Sequence, residues 1–521
     1  MASLAFITLV PLAGAVFTRF IPTRSARIVR GLGIGCALFT VVGMLIAMRG
    51  FASSRGGFQL ETDWAWMAGA RFHLGVDSIS LWFGLLAALL TSIAMLSPQA
   101  ESLSLGHLRK RLAALLALGS GILGVLVALD MQVFLLFWEL ATVAMFLVIA
   151  TSTEGWRASL LGKGLALAQS IAMLGVLLVL YVTVHRVTGR WTFDYTTWSS
   201  VVLPRTTQFV CLGLLGFAFF ALLGMVATGM RGRTSWPGAS LILVGLSIEL
   251  FAFVFLRLAL PLLPLACQQA APLLVGMAVA GIVLGSFLAN RRAEPALWAG
   301  RAWVAQLGFL LLGLVTATAR SVAGAVFQVL AQGLSCAGLY LIVGTLQKDG
   351  TVGRVKWLKP SLVVVFLAAA GVPGLCGFIG EFLIVLAGWR APAEWRQLQL
   401  APQYMRPAVV AVVVASAAAA YAVGFVRMLA HMAGSRAGAE MGTPCQLLWG
   451  ERVALTVVLA AMVGLGLLPG RILRHFSPRV SSVLSSARVR STDVQAHPES
   501  PAHMLDPGAN PAIRGVLRAF D

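Results

Sequence analysis

An all-α polytopic membrane protein of about fourteen transmembrane helices is what this sequence predicts. Hydrophobic residues make up 59% of its 521 residues and charged residues 11%, against about 25% charged in an average soluble domain. Mean hydropathy is +0.88, and the apolar residues gather in runs near the ~20 residues that cross a bilayer as a helix. A soluble enzyme, a disordered chain and a secreted disulfide scaffold are excluded, because each needs far more polar surface.

The runs lie at about 3–18, 31–48, 74–96, 112–129, 131–150, 160–184, 208–230, 238–262, 271–290, 302–319, 322–346, 361–389, 407–430 and 452–472. Residues 1–111 hold the first three, 112–262 the next five, 263–430 a second five, and 431–472 the last; 473–521 form a polar tail. The first run is not a cleaved signal, because Arg19, Arg24, Arg27 and Arg30 follow it instead of preceding it. Those arginines place their loop in the cytoplasm and the N-terminus outside. Alternate loops then agree: Arg109-Lys110-Arg111, Arg157 with Lys163, Arg231 with Arg233, Arg291-Arg292 with Arg301, and Lys348, Arg354, Lys356 and Lys359. An even helix count puts the C-terminus outside too. The tail after about 473, rich in Ser, Pro and Arg, reads as loosely ordered, with its arginines on the side the rule disfavours.

The same placement disposes of nucleic acid as the reason for a net charge of +20: the cations sit in short gaps between apolar runs, not on a basic polar domain. Of the basic residues only five are lysines. The six cysteines are scattered with no CxxC, so neither zinc nor an iron–sulfur cluster has its ligand spacing. No P-loop or dinucleotide fingerprint appears. The chain itself is therefore expected to hold no cofactor.

Two stretches break the pattern. Residues 360–389 carry Gly371-Val372-Pro373-Gly374 and Gly377-Phe378-Ile379-Gly380 inside one span, where freed backbone groups must be satisfied by protein or water. Gly229 and Pro237 interrupt the 208–262 region. Counting runs, these are breaks at helices seven and twelve, five apart, the pattern of two inverted five-helix repeats.

A charge at the bilayer centre costs at least ~2.5–3.5 kcal/mol on insertion scales, so intramembrane ionisable residues point to function. Glu139, in Phe137-Trp138-Glu139-Leu140, stands eight residues into the fifth run, ~12 Å deep at 1.5 Å per residue. It reads as a proton-relay carboxyl, against a protonated glutamate bonded to a neighbouring helix for packing. Glu381 stands beside the broken twelfth run, as the exit gate of a water path or as a cap on the restarted half-helix. Glu249 lies near the centre of the eighth run, with Arg257 eight residues on, ~12 Å nearer the outside; relay and packing roles stand level there. Lys163, near the cytoplasmic start of the sixth run, is a relay cation or a snorkelling one. Asp77 reads as a helix N-cap.

These residues resemble a known family over about residues 70–430: the antiporter-like membrane subunits of respiratory complex I, most closely their subunit M group. Phe72-His73-Leu74-Gly75-Val76-Asp77-Ser78-Ile79-Ser80-Leu81-Trp82-Phe83 looks like the family's FHLGVDGISLWF, and Phe137-Trp138-Glu139-Leu140 like its FWEL. Residues 307–313 look like MGFVLLG and Gln332-Gly333-Leu334-Ser335 like HGLS. Gly371-Val372-Pro373-Gly374 with residues 377–384 looks like GLPG…GFVGEFLIL. The resemblance implies fourteen helices in two inverted five-helix repeats, each with a broken helix. It makes Glu139 the helix-five glutamate, Glu381 the terminal helix-twelve acid and Lys163 the helix-six lysine of a proton path.

This chain also departs from the family. Its helix-seven stretch, residues 216–224, has no ionisable group where the family has a lysine. With Arg257 and Pro261 in register, Glu249 falls at the helix-eight lysine. Gln306 and Gln332 replace two central histidines, and Glu294-Pro295 replaces the loop lysine before helix ten. The entry and exit acids remain while the cations between them are gone. The resemblance implies a non-redox, membrane-arm subunit of a complex I-like NADH–quinone oxidoreductase in a bacterial inner membrane. It would contribute to proton translocation, with NADH, FMN, iron–sulfur clusters and quinone held by partner subunits. Two alternatives stay open: a degenerate structural subunit, or a subunit of a related membrane hydrogenase, multisubunit sodium/proton antiporter or bicarbonate-uptake complex.

Overall fold

The computed structural model describes residues 3–23, 25–52, 57–67, 70–96, 104–152, 156–231, 237–289, 295–349, 358–390 and 449–496. The run expected at 407–430, Glu294 and the chain after 496 lie outside them. The chain opens with α1 (Leu4–Phe20) and α2 (Ala26–Gly50), then a hairpin of β1 (Gln59–Met67) and β2 (Ala70–Val76). Next come α3 (Ser78–Met95), α4 (Leu105–Val127), α5 (Met131–Ser152), α6 (Trp156–Thr188), the short α7 (Tyr195–Ser200) and α8 (Arg205–Arg231). Then α9 (Pro237–Val254) passes through a π-helical turn (Phe255–Ala259) into α10 (Leu260–Leu262). The second half holds α11 (Pro264–Ala289), α12 (Pro295–Val315), α13 (Ala319–Asp349), α14 (Leu358–Ala369) and α15 (Cys376–Arg390). Last are α16 (Trp449–Leu467) and α17 (Pro469–Ala496).

Among the described residues, ten helices are long and apolar enough to cross a membrane, and four shorter apolar helices accompany them. The interior is built around α9 and α13. Their apolar windows are 94% and 100% buried, against 28% for α11 and 33% for α2 and α6. Helices apolar all round belong inside a bundle. The outer helices instead turn Phe39, Leu167, Leu174, Leu273 and Phe287 outward, as lipid-facing surfaces do.

Four features differ from or refine the sequence expectation. The broken twelfth span is present: α14 ends at Ala369, α15 restarts at Cys376, and Gly371 (φ 68°) and Gly374 (φ 94°) turn the chain between them. No break falls within helix seven, because α8 runs unbroken from Arg205 to Arg231; with no proline inside, its glycines leave the hydrogen-bond ladder whole. The irregularity of this half is instead the π turn, which carries Arg257 at its centre.

The hairpin is the third. The all-α reading merged its second strand with the span that follows. Alternation marks it instead: Trp64 stacks on Phe72 at 4.6 Å between centroids, while Arg71 pairs with Asp63 and His73 with Glu61. The tail is the fourth. Residues 469–496 form helix α17, not a loosely ordered segment. Phe476, Val480, Val483, Leu484 and Ala487 are buried along one stripe with helical spacing. Ser and Arg between them conceal that stripe from a composition average.

Asp77 ties these parts together. It caps α3 by accepting from the Ser80 N–H at 2.8 Å. It also pairs with Arg257 of the π turn at 3.4 Å and with Arg479 of α17 at 2.9 Å. Burial pushes its carboxyl up, but Arg257, Arg479 and the Ser80 donors outweigh burial and hold it at about 2. Arg257 lies over the rings of Phe58, Tyr195 and Phe253, and Tyr195 donates its hydroxyl to the Arg257 carbonyl at 3.0 Å.

Candidate proton-transfer site

On α5, Glu139 is half-buried and accepts a short hydrogen bond from the Ser170 hydroxyl of α6. Beside it Gln169 donates to the Thr142 hydroxyl at 3.0 Å, so one turn of the α5–α6 seam is polar within apolar helices. FWEL builds this seam by turning Phe137 and Trp138 into the core. Lys163 stands two turns earlier on α6, ~10 Å along the axis, and is exposed; it is not a partner of Glu139.

Glu249 lies on α9 with no exposed surface. Among the described residues, neither of its carboxyl oxygens meets a hydrogen-bond donor. Its level in the bundle follows from its neighbours. A side chain at Gly245, one turn before, would touch Leu90 of α3 and Cys336 and Gly333 of α13. Gln332 lies one turn before Cys336 on the antiparallel α13, and its amide reaches the Cys336 sulfur at 3.9 Å. One turn outward from the Gly245–Cys336 contact therefore brings both Glu249 and Gln332, at the same level on facing helices.

The second half is better furnished. Gln306 of α12 donates to Glu381 Oε1 of α15 at 3.2 Å, and Gln328 of α13 donates to the same oxygen at 3.4 Å. Gln328 also donates to the Gln306 carbonyl oxygen at 2.6 Å, and Gln306 to the Ala369 carbonyl, freed where α14 breaks, at 3.3 Å. The other carboxyl oxygen of Glu381 lies against Gly371, where an added Cβ would overlap it. Gly380 gives similar room, since a Cβ there would strike Gln328.

Gln306 and Glu381 are thus brought together as neighbours. Gln332 stands apart from them on α13, and Lys163 apart from Glu139. Gln328 escaped the sequence reading. The signal was available: it lies one helical turn before Gln332, so the two amides form a polar pair on one side of α13. Carboxyls take and release protons, while neutral amides orient them without carrying charge. The arrangement is three carboxyls on α5, α9 and α15, with amides and hydroxyls at both ends. Among the described residues no group of three or more His, Cys, Asp or Glu is placed to hold a metal ion.

The family model described as NADH:quinone oxidoreductase/Mrp antiporter, TM, matches residues 128–401. The chain is 29% identical over 360 residues to NADH-quinone oxidoreductase subunit M of Escherichia coli K12, covering 64% of this chain and 70% of that one. A chain of the respiratory complex I from Thermus thermophilus superposes with a TM-score of 0.76 at 22% identity, covering 93% of this chain and 99% of that one. A chain of the archaeal membrane-bound sulfane sulfur reductase superposes with 0.71 at 20%, covering 91% and 77%.

Proposed function

The chain belongs to the NADH:quinone oxidoreductase/Mrp antiporter transmembrane family, and from that footing we propose that it is the subunit M-type, non-redox membrane-arm subunit of a complex I-like NADH–quinone oxidoreductase. It contributes to proton translocation coupled to electron transfer. It works in a bacterial inner membrane with its N-terminus outside, as about fourteen helices in two inverted five-helix repeats. NADH, FMN, iron–sulfur clusters and quinone belong to partner subunits, both membrane and peripheral.

The observation that carries this reading is the Gln306–Gln328–Glu381 cluster at the break between α14 and α15. Irregular backbone at membrane depth is tolerated where it is buried in protein or lines water. A carboxyl fixed there by two amides is suited to hand protons to a water path. Glu139 serves as the entry acid with Ser170, and Glu249 as the central acid facing Gln332. Lys163, exposed on α6, acts on the path from the flank. The test is the proton-to-electron ratio of the assembled enzyme in membrane vesicles. Glu381→Gln should lower the ratio while NADH-dependent electron transfer and assembly persist. Failure of the chain to co-purify with NADH–quinone oxidoreductase activity would remove the complex assignment itself.

A second reading, a structural subunit that moves no protons, has its own support. Between Arg205 and Arg231, α8 carries no charged side chain, and Glu249 has no hydrogen-bond partner among the described residues. An unchanged ratio in Glu381→Gln and Glu139→Gln would select it.

A further inference from the structure

Away from the three acids, a cleft of about 380 Å³ opens between α3, α13 and α16 at the foot of α17. Trp82, Leu86 and Leu89 line one wall, Leu334 the back, and Gly464 the other wall, with Arg471 at one end. The volume falls at the lower end of the range for small-ligand sites. Apart from Arg471 its lining is apolar, so water has nothing there to bond.

We propose that this cleft holds one acyl chain of a phospholipid whose anionic headgroup is bound by Arg471. The dimensions fit that occupant. Trp82 to Leu89 on α3 spans seven residues, ~10 Å, within the ~15 Å hydrocarbon depth of one leaflet. The cleft thus runs inward from headgroup level. Arg471 is exposed and makes no side-chain hydrogen bond or ion pair among the described residues, so its guanidinium is free for a phosphate oxygen. Arg474 is exposed one turn on and adds to the positive field. Trp82 marks the interface: its ring lines the cleft while its N–H donates to His475 of α17 at 3.3 Å. Bound there, the lipid would fill a seam between an interior helix, α13, and the junction of α16 and α17.

Two substitutions separate the parts. A Cβ at Gly464 meets nothing within 4 Å, and Gly464 lines the cleft, so Gly464→Phe puts its ring where the acyl chain would lie. Arg471→Gln removes the headgroup contact and leaves the cleft open. The full chain, purified with its partners, is equilibrated in vesicles of equal phosphatidylglycerol and phosphatidylcholine, and retained lipid is counted by native mass spectrometry. The wild-type chain should retain one phosphatidylglycerol in preference to phosphatidylcholine. Arg471→Gln should lower that retention by about tenfold, and Gly464→Phe should abolish it. Equal retention of the two lipids, retention unchanged in both variants, or retention of a quinone in the lipid's place would overturn the proposal. The result is independent of whether the chain moves protons.

Discussion

Glu381 and Glu249 are carboxyls within apolar helices of the two halves, and the protein treats them oppositely. Glu381 sits where the helix breaks, with two amides on one oxygen and a glycine against the other. Glu249 sits in a continuous turn of α9, fully buried, with no donor on either oxygen among the described residues. A broken helix exposes backbone groups that attract polar neighbours, so a network assembles around the acid. A regular helix offers none, and an unsatisfied buried polar group costs about 1–3 kcal/mol. Such an exception in an otherwise well-packed interior calls for an explanation of its own. Glu139 is intermediate, with one hydroxyl partner across a helix seam.

The comparison can be pressed by substitution, ordered by expected effect on proton transfer. Glu139→Gln keeps size and hydrogen bonding but removes the exchangeable carboxyl. The enzyme should stay assembled by native gel and lose most of its proton-to-electron ratio. Gly371→Ala should come next: its φ of 68° disfavours any side chain by about 1–3 kcal/mol, and the added Cβ would displace the Glu381 carboxyl. Proton transfer should fall several-fold, while Gly31→Ala, at a site open on α2, leaves it unchanged. Gln328→Leu removes donors to both Gln306 and Glu381 and should shift the pH dependence of pumping more than Gln332→Leu, whose side chain bonds, among the described residues, to Cys336 on its own helix.

The smallest effect on proton transfer is expected at Asp77, which holds α17 and the π turn in place. Its carboxyl stands at about 2, below the ordinary ~3.9. The sign is that of a depressed acid: its stabilisation is fully present above about pH 4 and is lost as pH falls toward 2. Asp77→Asn should release α17, measured as a loss of about 2–3 kcal/mol in thermal or denaturant unfolding at pH 7, with the proton-to-electron ratio nearly unchanged.

The helical, membrane-spanning class was legible because the bilayer imposes its length on the apolar runs, and the Gly-Pro break at 371–374 because it frees backbone groups. What escaped obeys other periods. The hairpin alternates outside the membrane, and α17 keeps a narrow apolar stripe among serines and arginines. The expected break in helix seven rested on Gly229 and Pro237, which flank a connection between helices, whereas the π turn at Phe255–Ala259 leaves no compositional mark. For the site, single acids in apolar runs were visible because charge in lipid is costly. Gln328 was not, since a neutral amide costs less and shows its role only through what α12 and α15 bring to it. That Glu249 lacks a donor among the described residues was likewise unreadable, because partnership is decided by side chains from other helices.

The central claim is that Glu249 carries protons between the two halves despite the missing lysines. It is tested most directly by the proton-to-electron ratio of the assembled enzyme bearing Glu249→Gln, measured in sealed vesicles with NADH as donor. Gln keeps the volume and the apolar packing of α9 against α13 while removing the only proton-exchanging group on α9. The account predicts a ratio lowered to the level of Glu139→Gln, with electron transfer retained. A ratio equal to that of the unsubstituted enzyme would contradict it and leave Glu249 as a packing residue.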